Sequence, residues 1–128
     1  MRILIVDDHP KFIEGLCALL QKEVWMEVCG KAVNGREAIQ KTLELKPDLV
    51  LMDVTMPVMN GLEAARRLAS VSPETPILIL TMYENKEVIQ AAKEIGVRGY
   101  ISKSDISERL VNAIHEIGED RTFFPNEL

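Results

Sequence analysis

Short apolar runs alternate with segments of helical periodicity five times along this chain. Ile3-Leu4-Ile5-Val6, Leu49-Val50-Leu51-Met52 and Ile77-Leu78-Ile79-Leu80 are apolar at every position, which suits strands buried on both faces of a parallel sheet. Two further runs differ from these. Residues 24 to 33 mix Glu27 and Lys31 with apolar positions, and Tyr100-Ile101-Ser102 is short, so both read as edge strands.

Between the runs lie five helices. The first starts at Pro10, a favoured first-turn residue, and faces the core with Phe12, Leu16, Leu19 and Leu20. Asn34 with Glu37 opens the second as a capping box; its apolar positions are Ala38, Ile39, Thr42 and Leu43, and Pro47 ends it. The third follows a loop from Val54 to Gly61 and carries Leu62, Ala65, Leu68 and Ala69. Asn85 caps the fourth, with Val88, Ile89, Ala92 and Ile95, and Gly96 and Gly99 bracket the turn beyond it. Asp105 with Glu108 opens the fifth, where Ile106, Leu110, Ala113, Ile114 and Ile117 keep a 3.6-residue period. Residues 118 to 128 show no periodicity.

Five repeats of strand and helix predict an α/β domain around one parallel sheet. With the two mixed strands at the edges, the strand order becomes 2-1-3-4-5, a flavodoxin-like arrangement whose chain reversal lies between strands one and three. Asp7 and Asp8 follow strand one, Asp53 follows strand three, Thr81 follows strand four and Lys103 follows strand five. All five residues therefore fall on the carboxyl edge, where open α/β sheets place their ligands. Carboxylates about 4 Å apart repel by roughly 4 kcal/mol at an effective dielectric near 20, so three of them in one place call for a positive partner. A divalent cation meets that need.

Composition narrows the field. A chain of 128 residues and 14.4 kDa builds one domain, and 47% apolar with 27% charged residues is globular composition. No apolar stretch reaches the roughly 20 residues of a membrane span, and Met1-Arg2-Ile3 runs straight into a strand, so a soluble, cytoplasmic protein is expected. Net charge of -5 with scattered basic residues argues against direct nucleic-acid binding. Cys17 and Cys29 read as packing residues of a reducing compartment. Met52, Met56, Met59 and Met82 read as filling around the site, and His9 and His115 show no ligand spacing.

The ordered set closely resembles the receiver domain of bacterial two-component response regulators. It consists of Asp7-Asp8, the segment Asp53-Val54-Thr55-Met56-Pro57-Val58-Met59-Asn60-Gly61, Thr81, Tyr100 and Lys103. The resemblance covers residues 2 to 118 and leaves 119 to 128 as a tail or the start of a linker. It implies a phosphorylation-controlled switch rather than a turnover enzyme. Asp53 would take a phosphoryl group from a sensor histidine kinase, with Mg²⁺ on Asp7, Asp8, Asp53 and the backbone carbonyl of Thr55. Lys103 and Thr81 would bind phosphoryl oxygens, Tyr100 would turn inward on activation, and Thr55, Met82 and Tyr83 would set the lifetime of the phosphorylated state.

Two positions depart from the common pattern: Ser104 stands where many receivers have proline, and Met82 where a small residue is frequent. Ser104 and the ending Arg121-Thr122-Phe123-Phe124-Pro125 resemble NarL- or LuxR-type receivers, which continue into a DNA-binding domain. That resemblance implies transcriptional output, a phosphorylation-dependent homodimer and DNA contact only through a further domain. The alternatives are a stand-alone receiver acting by protein–protein interaction and, more remotely, an aspartyl-phosphate phosphatase of haloacid-dehalogenase type. The latter requires a second aspartate where this chain has Thr55.

Overall fold

The computed structural model describes residues 1–82 and 84–125. Five parallel strands, β1 (Arg2–Val6), β2 (Glu27–Ala32), β3 (Leu49–Asp53), β4 (Ile77–Thr81) and β5 (Gly99–Ser102), form one sheet in the order β2-β1-β3-β4-β5. Helices α1 (Pro10–Gln21), α2 (Gly35–Leu45), α3 (Gly61–Val71), α4 (Lys86–Ile95) and α5 (Ile106–Gly118) connect and follow them, as the alternating pattern predicts.

The all-apolar strands are explained by helices on both sides of the sheet. Successive strand residues point to opposite faces. Ile3, Ile5, Leu49, Leu51, Leu78, Leu80 and Ile101 pack with α1 and α5, while Leu4, Val6, Val50, Met52, Ile79 and Tyr100 pack with α2, α3 and α4. Each fully buried Leu or Ile contributes about 1.5–3 kcal/mol, and the three central strands are buried at every position except Arg2.

Local signals hold the helices where the sequence puts them. The Asn34, Asn60 and Asn85 side chains cap α2, α3 and α4 through the backbone N–H groups of Glu37 (2.9 Å), Glu63 (2.9 Å) and Glu87 (2.8 Å). Gly61 opens α3 because a Cβ there would lie 2.1 Å from the Asp53 carbonyl oxygen. That close approach pins the start of α3 to the end of β3.

Several expectations need correction. The second strand begins at Glu27, not at residue 24: Val24 and Trp25 lie in a turn, with Val24 fully exposed. Leu43 and Ala69 point outward, and Thr42 with Ala38 and Ala64 with Ala65 hold the inner faces of α2 and α3. Asp105 occupies the residue before α5 but makes no capping hydrogen bond, because a 3-10 turn at Lys103–Asp105 precedes the helix. The unpatterned tail returns to the sheet. Phe123 forms a parallel bridge with Gly99, its N–H donating to the Arg98 carbonyl (2.8 Å) and its carbonyl accepting from Tyr100 N–H (3.0 Å).

Candidate phosphorylation site

Strand order brings Asp7, Asp8 and Asp53 together at the carboxyl edge. One ligand atom from each of these three and from His9 lies within 4.8 Å of the others. At that separation two carboxylates repel by about 3–4 kcal/mol at an effective dielectric near 20. Burial compounds the repulsion, since Asp7 is fully buried and Asp53 is 2% exposed. Desolvation, then the charge of Asp7, pushes the Asp53 carboxyl above its ordinary pKa, and Lys103 pulls it back only in part.

Lys103 crosses the pocket from the end of β5. Its ammonium donates to Asp7 Oδ2 at 2.7 Å and stands 3.4 Å from Asp53 Oδ1, with its side chain 10% exposed. The Lys103–Ser104 peptide bond is trans. Asp7 is satisfied on its other oxygen too, because Oδ1 accepts the His9 N–H at 2.8 Å and meets His9 Nδ1 at 3.0 Å. Asp8 differs. His9 Nδ1 approaches Asp8 Oδ1 to 3.2 Å, but without hydrogen-bond geometry, and that buried oxygen has no hydrogen-bond partner. Orphaned buried carboxylate oxygen is costly and suits a cation, so Asp8, with Asp53 beside it, could hold one, while Asp7 anchors Lys103.

The Thr81 hydroxyl is likewise buried without a partner, at the end of the strand next to the one that carries Asp53. Thr55 is exposed on the loop after β3, and Met82 is 59% exposed after β4. Tyr83 lies outside the described residues. Tyr100 is 3% exposed, on the α2–α4 side of the sheet, with its hydroxyl donating to the Pro125 carbonyl at 2.6 Å. Burial, then Glu84, raises its pKa.

His9 is the site residue that the sequence reading missed. Its signal was adjacency to Asp7-Asp8, which ligand-spacing rules do not register.

The response regulator receiver domain model matches residues 3–115. The chain belongs to that family. It is 40% identical over 129 residues to the oxygen regulatory protein NreC of Staphylococcus aureus, all of this chain matching 59% of that protein. It is 38% identical over 128 residues to the transcriptional regulatory protein LnrK of Bacillus subtilis, covering 58% of it. The receiver domain thus spans about three fifths of the length of these curated relatives.

Among solved structures, a LuxR-family two-component response regulator from Aurantimonas sp. superposes with a TM-score of 0.92 at 36% identity, over 95% of this chain and 87% of that one. The non-phosphorylated RcsB receiver domain of Escherichia coli, at 23% identity and TM-score 0.92 over 98% of each chain, shares the fold.

Proposed function

We propose that this receiver domain is a phosphoacceptor switch of a two-component pathway, taking a phosphoryl group from the phosphohistidine of a sensor histidine kinase onto Asp53. The observation that carries the reading is a buried Asp53 with a raised pKa, 3.4 Å from the Lys103 ammonium and grouped with two further aspartates. In the transfer a P–O bond to an Asp53 carboxylate oxygen forms as the P–N bond to the donor imidazole breaks; the bond pair returns to the ring nitrogen, and the ring, protonated on its other nitrogen, leaves as neutral imidazole. A raised pKa makes the ionised carboxylate a better nucleophile.

The donor set fits Mg²⁺, which takes one or two carboxylates and keeps several waters. Asp8 and Asp53 would hold it, with the Thr55 carbonyl, and Asp7 directly or through water. When bound, the ion neutralises charge on the phosphoryl oxygens. Lys103 reaches from Asp7 to one phosphoryl oxygen, and the unpartnered Thr81 hydroxyl donates to another. Thr55, Met82 and Tyr83 govern access of the hydrolytic water and so the lifetime of the phosphorylated state.

Residues 1–118 are the switching unit, and 119–128 begin the connection to a DNA-binding output domain, as the partial coverage of the curated relatives suggests. The receiver itself contacts no DNA. Phosphorylation promotes a homodimer, and the protein acts in the cytoplasm as a switch and not as a turnover enzyme. Among the described residues, no helix is long and apolar enough to cross a membrane.

Intact-mass measurement with acetyl phosphate and Mg²⁺ tests this. One acid-stable, base-labile phosphoryl group is expected on the wild-type chain and none on Asp53→Asn. Undiminished labelling of that variant sinks the assignment.

A further inference from the structure

Phe12 has no part in the chemistry just described, yet it touches the group that the chemistry depends on. It lies in the first turn of α1, four residues after Asp8, and its ring packs against the core between α1, α5 and the sheet. The Lys103 ammonium sits over that ring, 4.2 Å from its centroid. An ammonium has three N–H donors. Here one points to Asp7 Oδ2 at 2.7 Å, Asp53 Oδ1 lies 3.4 Å away, and the ring takes up a further side of the cation.

We propose that Phe12 is a positioning residue for phosphorylation, its ring face holding Lys103 between Asp7 and Asp53 so that the ammonium moves to the incoming phosphoryl group without first shedding water. This deepens the phosphoacceptor reading of Asp53 and rests on it. The chemistry of the partner matters. A third carboxylate would fix Lys103 by a strong charge-assisted bond and add to the repulsion around Asp53. Water in that place would have to be displaced at each transfer. The negative face of an aromatic ring attracts the cation, accepts no proton and adds no charge, so Lys103 stays desolvated and free to leave.

Because the contact runs through the ring quadrupole, shape and electrostatics separate in the test. Phe12 is replaced in the 128-residue chain by 4-fluoro-, 3,5-difluoro- and 3,4,5-trifluorophenylalanine, which keep the ring and progressively weaken its negative face. The rate of Asp53 labelling by acetyl phosphate with Mg²⁺ is expected to fall stepwise across the series, by roughly 3- to 30-fold in total, with the melting temperature nearly constant. Phe12→Trp is expected to label at least as fast as wild type.

In a Lys103→Met background, whose slow residual labelling is followed over longer times at higher acetyl phosphate, the fluorine dependence should vanish. A flat series, a series in which rate merely follows melting temperature, or one that persists without Lys103 overturns the proposal. An unlabelled wild type, or a labelled Asp53→Asn, overturns the phosphoacceptor reading beneath it, which the fluorine series alone leaves standing.

Discussion

The two ends of the sheet handle charge in opposite ways. At the amino edge, where helices feed into strands, Arg2 and Asp48 close a joint. Asp48 accepts the Arg2 backbone N–H at 2.7 Å while its own N–H donates to the Arg2 carbonyl at 2.8 Å, and the Arg2 guanidinium reaches the Leu45 and Lys46 carbonyls at the end of α2. At the carboxyl edge, like charges crowd together: three aspartates share one pocket, Asp53 is held above its ordinary pKa, and an Asp8 oxygen and the Thr81 hydroxyl are buried without partners. The amino edge serves folding. The carboxyl edge is left unsatisfied, as the proposed cation and phosphoryl group would require.

Removing a cation from each end exposes the difference most sharply. Lys103→Met leaves buried carboxylates uncompensated and should cost about 3 kcal/mol at neutral pH, the scale of a broken buried pair. The deficit should shrink as pH falls into the carboxylate range, and labelling should collapse. Arg2→Met removes carbonyl partners at the end of α2 and should cost about 1 kcal/mol with labelling unchanged. Urea unfolding at several pH values with parallel mass measurements decides between them; equal costs would erase the contrast.

Asp53→Asn probes the same crowding from the acid side. Its folded pKa is raised, so the native state binds the proton more tightly than the unfolded chain does. Stability from this group is therefore present at low pH and is lost as pH rises through the raised value. Above it, ionised Asp53 is a standing cost in metal-free protein. Asp53→Asn should accordingly be more stable than wild type at pH 7–8 in EDTA, by on the order of 1 kcal/mol, with the gain gone below about pH 4. A neutral-pH loss would show that Lys103 outweighs burial and the Asp7 charge.

How much of this was legible depended on the signal behind each feature. The strands and their order could be read because apolar runs and mixed runs report burial on two faces or one. The meeting of Asp7, Asp8, Asp53 and Lys103 at one edge was legible because each is a polar terminator of such a run. Strand β2 was drawn too long because Val24, Trp25 and Met26 are apolar, and composition does not reveal that only Met26 turns inward. Docking of the tail could not be read at all. Phe123 is fixed by backbone hydrogen bonds, the Phe124 ring lies tilted against that of Tyr100 with centroids 6.1 Å apart, and Pro125 accepts through its carbonyl, none of which leaves a period.

That tail contact offers a further comparison. Tyr100→Phe removes the hydroxyl that holds the Pro125 carbonyl and should cost about 1 kcal/mol. Hydrogen exchange at the Phe123 amide should quicken while the amides of β1 and β3 stay protected. Uniform loss across the sheet would mean that Tyr100 supports the core rather than the tail.

The smallest expected effect concerns backbone strain, where the two edges again diverge. Each carries a non-glycine residue at positive φ: Lys46 at 49° on the amino edge and Val58 at 68° on the carboxyl edge. Lys46 ends α2 as a left-handed cap, with its N–H donating to the Thr42 carbonyl at 2.9 Å, a common way for a helix to stop. Val58 instead sits at the centre of a strained three-residue turn, closed by the Met59 N–H donating to the Pro57 carbonyl at 2.7 Å. It is β-branched, 75% exposed and sits in the loop that bears Thr55, so neither helix capping nor packing of its side chain repays the conformation. Asparagine tolerates this region far better than valine. Val58→Asn should therefore stabilise the domain by about 1 kcal/mol, against a few tenths for Lys46→Asn. If the strain belongs to the switch, Val58→Asn should also change the rate of Asp53 labelling, whereas Lys46→Asn should not. Denaturant midpoints and labelling rates on the two variants test both statements, and equal gains with unchanged labelling would place the strain of Val58 outside the function of the loop.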